Sequence, residues 1–201
     1  MKKLVSVSLM FALMAIAFLV NGRTNVADIP APPIIGSTID DFTLPDASGA
    51  AHTLASLKGK NGVVLIFIAV QCPVSNGYNE RMEKLSQDYK AKGINVVGIN
   101  ANSTESAADV KAHAASHNLT FPILKDEGDK VADMLGATRT PEAYFLDAGN
   151  KLLYHGRIDN SRDITQVNSN ELRDALDATL AGKPVPKSTA NAFGCSIKRP
   201  E

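Results

Sequence analysis

The sequence predicts one α/β domain: a central mixed sheet flanked by helices, closed by a C-terminal β-hairpin and helix. Three observations carry this. An unbroken apolar run from Val63 ends at Gln71-Cys72-Pro73, as a strand buried on both faces and leading into a helix does. Apolar strands then alternate with amphipathic helices as far as Leu135. Finally, Thr140-Pro141 precedes another apolar strand and a turn, Asp147-Ala148-Gly149-Asn150, that leads straight into a partner strand.

The chain has 201 residues, 44% of them hydrophobic, which is enough for one ordinary core with tails. Basic and acidic groups balance at 21 each, and no basic block is longer than Lys2-Lys3. Trp is absent and aromatics make up 5%. Neither backbone neutralisation nor base stacking is therefore provided for, and nucleic acid is not an expected partner.

Residues 1–27 stand apart: Lys2-Lys3, an apolar stretch from Leu4 to Val20, then Asn21, Gly22 and a polar segment to Ala27. This is the order of a secretory signal peptide. The apolar stretch also reaches the low end of what spans a bilayer, so a retained anchor is the alternative, and membrane contact is expected only in that case. The expected location is periplasmic or extracellular. Cleavage near Ala27 removes three basic groups and no acidic one, leaving a mildly acidic chain.

Residues 28–35, rich in proline, read as an extended lead-in to a domain at 36–183, followed by a tail at 184–201. Asp41–Asp46 is a short strand, Ala47-Ser48-Gly49 a turn, and His52-Thr53-Leu54 leads to a helical turn at Ala55–Leu57. The strand from Val63 follows. Tyr78, Met82, Leu85 and Tyr89 recur at helical spacing and predict one helix over 74–92 with a single buried stripe, ended by Gly93. Ile94–Ile99 is a second strand, parallel to the first because a crossover helix joins them. Ser103 or Thr104, with Glu105 and Ser106, opens a helix running to about His117. Phe121–Leu124 is a short segment before a helix at Lys130–Leu135. Ala143–Leu146 and Lys151–Arg157 form the hairpin, and Glu171–Leu180 is the last helix, with Leu172, Leu176 and Leu180 on one face.

Cys72 is the candidate redox nucleophile. At a strand-to-helix junction the free N–H groups and positive end of the helix favour thiolate over thiol. A small buried hydrophobe is the bland alternative. Cys195 is the only other cysteine. It can resolve an oxidised Cys72, form a permanent staple worth about 4–5 kcal/mol in the chain-entropy model, or stay free to meet another molecule. The approach PVPKSTANAFG reads as flexible, which favours a mobile partner for Cys72. Ser75 can hydrogen-bond the Cys72 sulfur or cap its own helix. His113 and His117 share the spacing of a metal pair, but no third ligand lies near them in sequence, and an exposed polar face is the expected setting.

DFTLPDASGAAHTLASLKGK with VVLIFIAVQCP, and Thr140-Pro141 with EAYFLDAGNKLLYHGRID, resemble the redoxin branch of the thioredoxin superfamily, the peroxiredoxin-like (AhpC/TSA-type) proteins. GRIDNSRD, ELRDALDATLAGKPVP and FGCSIK resemble an uncharacterised peroxiredoxin-like subgroup. The resemblance covers residues 34–182 and implies a thioredoxin fold and an exported thiol oxidoreductase with no cofactor. Its implied partners are protein thiols or disulfides or hydroperoxides, with an external thiol reductant. Cys72 and Cys195 would be catalytic, with Pro73, Ser75, Arg139, Thr140 and a cis Pro141 binding substrate; Arg139 would hold a thiolate or peroxide oxygen by charge. Two departures matter. Ser75 stands where a dithiol exchanger carries its second cysteine, and Ala69 and Leu65 stand where a peroxiredoxin carries Thr or Ser and Pro. A binding module with a structural Cys72–Cys195 bond is the second reading. Copper delivery through Cys72, Cys195 and His155 is the third.

Overall fold

The computed structural model describes residues 30–200, so the signal-peptide expectation lies outside the described residues. Among these, no helix is long and apolar enough to cross a membrane. The elements are β1 (Thr43–Pro45), β2 (Ala51–Thr53), α1 (Leu54–Leu57), β3 (Gly62–Phe67), α2 (Pro73–Asn76), α3 (Asn79–Lys90), β4 (Ile94–Asn100) and α4 (Ala107–Ser116). They continue with β5 (Ile123–Lys125), α5 (Lys130–Leu135), β6 (Arg139–Thr140), β7 (Glu142–Leu146), β8 (Leu152–Gly156), α6 (Glu171–Leu180) and β9 (Cys195–Ser196).

Five strands form the central sheet in the order β5-β4-β3-β7-β8. The pairs β3–β4 and β4–β5 are parallel, whereas β3–β7 and β7–β8 are antiparallel. This is the expected mixed sheet of the thioredoxin fold. The apolar run of β3 is explained by its central place: Val63, Leu65 and Phe67 pack on one face with α1 and α5, while Val64, Ile66 and Ile68 pack on the other with α3, α4 and α6. All six side chains are essentially inaccessible to solvent. Residues 36–39 close one end by hydrogen-bonding to the β7–β8 hairpin, through Gly36 N–H to Leu152 O and Ile39 N–H to Asn150 O.

Three expectations require correction. The helix predicted over 74–92 is two, because the chain tightens at Gly77-Tyr78, where Tyr78 N–H bonds Ser75 O. The stripe Tyr78, Met82, Leu85 and Tyr89 is nevertheless buried, and the Tyr78 hydroxyl turns in to donate to Asp159 at 2.7 Å. The helix expected to open at Ser103 or Thr104 starts after Ser106, whose hydroxyl and backbone close a capping box with Asp109. His113 is not on an exposed face: it is 6% exposed and lies against His117, with ring centroids 4.2 Å apart and the rings tilted at 37°.

The tail also differs from its flexible reading, because residues 188–199 are docked. His155 N–H bonds Ser188 O and Ala190 N–H bonds His155 O, so residues 188–190 run along the edge of β8. Gly156, at φ +147°, makes this approach possible: a Cβ there would lie 2.0 Å from Ala190 O. Phe193 then sets its ring edge-on to Tyr78, and β9 pairs antiparallel with β6.

Candidate active site around Cys72 and Cys195

Cys72 is the N-cap of α2, and Pro73, itself exposed, takes the first helical position where no N–H is needed. The Cys72 Sγ is bonded to Cys195 Sγ, with the two Cα atoms 5.9 Å apart, an ordinary disulfide separation. The Ser75 backbone N–H points at Cys72 Sγ from 3.3 Å, and the Thr140 carbonyl oxygen lies 3.4 Å from the same sulfur. The Thr140–Pro141 bond is cis, and both residues are buried. Thr140 pairs with Cys195 across the β6–β9 ladder. Cys72, Cys195, Ser75, Thr140 and Pro141 thus belong to one site at the carboxyl end of β3.

Other groups fall differently. The Ser75 hydroxyl neither contacts the sulfur nor caps α2; it accepts the Ala69 N–H at 3.2 Å. Arg139 is exposed and donates to Ser196 Oγ at 3.0 Å, so its guanidinium holds the tail. His155 Nε2 meets Glu142 Oε1 at 2.6 Å and its ring stacks on Tyr144, an arrangement that commits it away from the sulfurs. Among the described residues no group of three or more His, Cys, Asp or Glu side chains is placed to hold a metal ion.

Two buried carboxylates that sequence reasoning passed over shape the site. Glu105 accepts the N–H groups of Val70 at 2.9 Å and Gln71 at 2.8 Å, and Asn100 Nδ2 at 2.6 Å, which fixes the loop that presents Cys72. Beside it the Lys125 ammonium donates to Asn100 Oδ1 and Asn102 O, and burial pushes its pKa down despite nearby acids. Glu142 does the equivalent on the opposite wall, accepting Thr138 N–H and Arg139 N–H at 2.8 Å each. Burial raises the Glu142 pKa, but the His155 bond and these two amides outweigh it and hold the carboxyl below its usual range. The available signal was Ser106-x-x-Asp109: once that capping box is read, Glu105 falls outside the helix and is free to reach back.

The profile of the AhpC/TSA family matches residues 35–155. The chain belongs to the AhpC/TSA family. It is 31% identical over 118 residues to the thiol-disulfide oxidoreductase ResA of Geobacillus thermodenitrificans, covering 59% of this chain and 66% of that relative. It is 32% identical over 141 residues to the chloroplastic peroxiredoxin Q of Sedum lineare, covering 66% of this chain and 74% of that protein. Among solved structures, a hypothetical protein of Sinorhizobium meliloti 1021 superposes with a TM-score of 0.78 at 34% identity, covering 85% of this chain and 97% of that one. Within this AhpC/TSA chain the position three before the cysteine is Ala69, so the hydroxyl nearest that backbone is supplied by Ser75.

Proposed function

We propose that this chain is an exported thiol oxidoreductase in which Cys72 is the redox nucleophile and Cys195 its resolving partner. The observation that carries the reading is the Cys72–Cys195 bond at the N-terminal turn of α2, beside the cis Pro141 loop. In the reduced protein the Ser75 N–H that now faces Sγ stabilises the Cys72 thiolate. That thiolate attacks one sulfur of a protein disulfide, and the other substrate sulfur leaves as a thiolate. Cys195 then attacks Cys72 Sγ, closing the internal bond and releasing the substrate reduced by two electrons; an external thiol reductant reopens the bond. Disulfide exchange is favoured over peroxide reduction because Ala69, three residues before Cys72, offers no hydroxyl at that position.

The test is alkylation of the reduced protein. Iodoacetamide is expected to modify Cys72 at pH 6 much faster than a model thiol, and equal rates would sink the low-pKa assignment. The second reading, a binding module stapled by the same bond, is favoured by the burial of Cys72, which is 3% exposed. Redox titration separates the two: a bond that opens near about −200 mV is catalytic, and one that resists below about −300 mV is a staple. Copper titration of reduced protein and of Cys72→Ser tests metal delivery.

A further inference from the structure

Residues 194–199 lie on the molecule as an extended ligand lies in a groove. Cys195 pairs with Thr140 and Ser196 with Arg139. Ile197 donates its N–H to Thr138 O at 3.0 Å and buries its side chain in the core, 7% exposed. Lys198 N–H bonds Asn102 Oδ1 at 2.7 Å, and Lys198 O accepts Ser103 N–H at 2.7 Å. The Arg199 guanidinium ends the segment, donating to Asp133 and to Ala137 O at 2.9 Å, with Asp129 3.7 Å away. Gly194 sits at φ +140°, where a Cβ would meet Thr140 O at 2.0 Å.

The surface beneath this segment is held by contacts of its own. Glu142 fixes the backbone of Thr138 and Arg139, Lys125 fixes Asn102 through its carbonyl, and Asp129 is the N-cap of α5 with Asp133 in its first turn. The groove therefore offers strand-spaced carbonyl and amide partners, one apolar seat and one acidic end. Only a polypeptide uses all three.

We propose that residues 194–199 are an internal ligand of a polypeptide groove. Once Cys72–Cys195 is reduced, the same groove takes an extended segment of a partner protein with the pattern Gly-Cys-x-aliphatic-x-Arg, its cysteine meeting Cys72. This rests on the redox reading of Cys72 given above. Partner strand and tail compete for one place, so closing the internal bond also expels the bound partner. In that step the Cys195 thiolate forms the bond to Cys72 Sγ, the bond from Cys72 to the partner breaks, and the partner sulfur leaves as a thiolate.

The test uses full-length Cys195→Ser protein whose Cys72 carries thionitrobenzoate as a mixed disulfide. Release of the coloured thiol is followed with three peptides: Phe-Gly-Cys-Ser-Ile-Lys-Arg, the same with Gly→Ala, and the same with Ile→Asp. After normalisation to each peptide's rate with free Ellman's reagent, the parent peptide is expected to react about tenfold faster than either variant. The parent peptide should react faster still on Cys195→Ser/Ile197→Asp protein, whose own tail has lost its apolar anchor. Equal normalised rates overturn the groove. If Cys72 accepts no thionitrobenzoate, or its adduct fails to exchange with glutathione, the redox reading falls and this inference with it. Prompt glutathione exchange without peptide discrimination removes the groove alone.

Discussion

Glu105 holds three donors at once, two of them backbone amides of the loop before Cys72. Glu105→Ala leaves the buried Asn100 amide and the two part-buried loop amides without this acceptor and is expected to lower stability by about 3 kcal/mol, read from urea unfolding; Glu105→Gln, which keeps one acceptor oxygen, should lose less. Asp129 makes a pH-dependent contribution. Burial pushes its pKa up to about 6, with Arg199 opposing. A carboxyl whose folded value exceeds its unfolded value, about 3.9, adds stability below that unfolded value and loses it as pH rises through the folded one. Wild type is therefore expected to lose stability relative to Asp129→Asn between about pH 4 and pH 6, then hold a constant difference; a difference that is flat across this window contradicts the assignment. The strand-to-helix junction at Cys72 was legible from local pattern, and the Thr140–Pro141 pair from the family resemblance. Glu105, Glu142 and Asp129 were not, because each acts on backbone or side chains brought close only by the fold.

At the scale of elements, strands and helices buried by alternation or by a stripe were read well: α5 and α6 begin and end where their sequence patterns do. The errors fell where a local hydrogen bond competes with the regular pattern, as at Tyr78 N–H to Ser75 O, which parts α2 from α3. β9 was invisible for another reason. A two-residue strand has no periodicity, and Pro184, Pro186 and Lys187 upstream look like linker. Its pairing does have a single-residue test. Gly194→Ala places a Cβ against Thr140 O, so in a glutathione buffer the Cys72–Cys195 equilibrium is expected to shift about tenfold or more toward dithiol. Unfolding of the reduced core should be unchanged, since the strain is confined to the docked tail.

Across the whole molecule one covalent bond joins residues 123 positions apart and ties the tail to the centre of the sheet. In the chain-entropy model a loop of this size is worth about 4–5 kcal/mol, so reduced protein is expected to unfold at correspondingly lower urea. Hydrogen exchange should show residues 188–199 losing protection on reduction while β3 and β4 keep theirs, because only the tail depends on the bond for its place. The elements were readable because strands and helices alternate along the chain, whereas the long-range pairings, β3 with β7 and the tail's β9 with β6, leave no local pattern. That last pairing also sets an order in time. A chain emerging from its amino end exposes Cys72 long before Cys195, so during synthesis Cys72 has no internal partner. Through that interval its sulfur is open to outside thiols, and only a chain extended past Cys195 can close the internal bond.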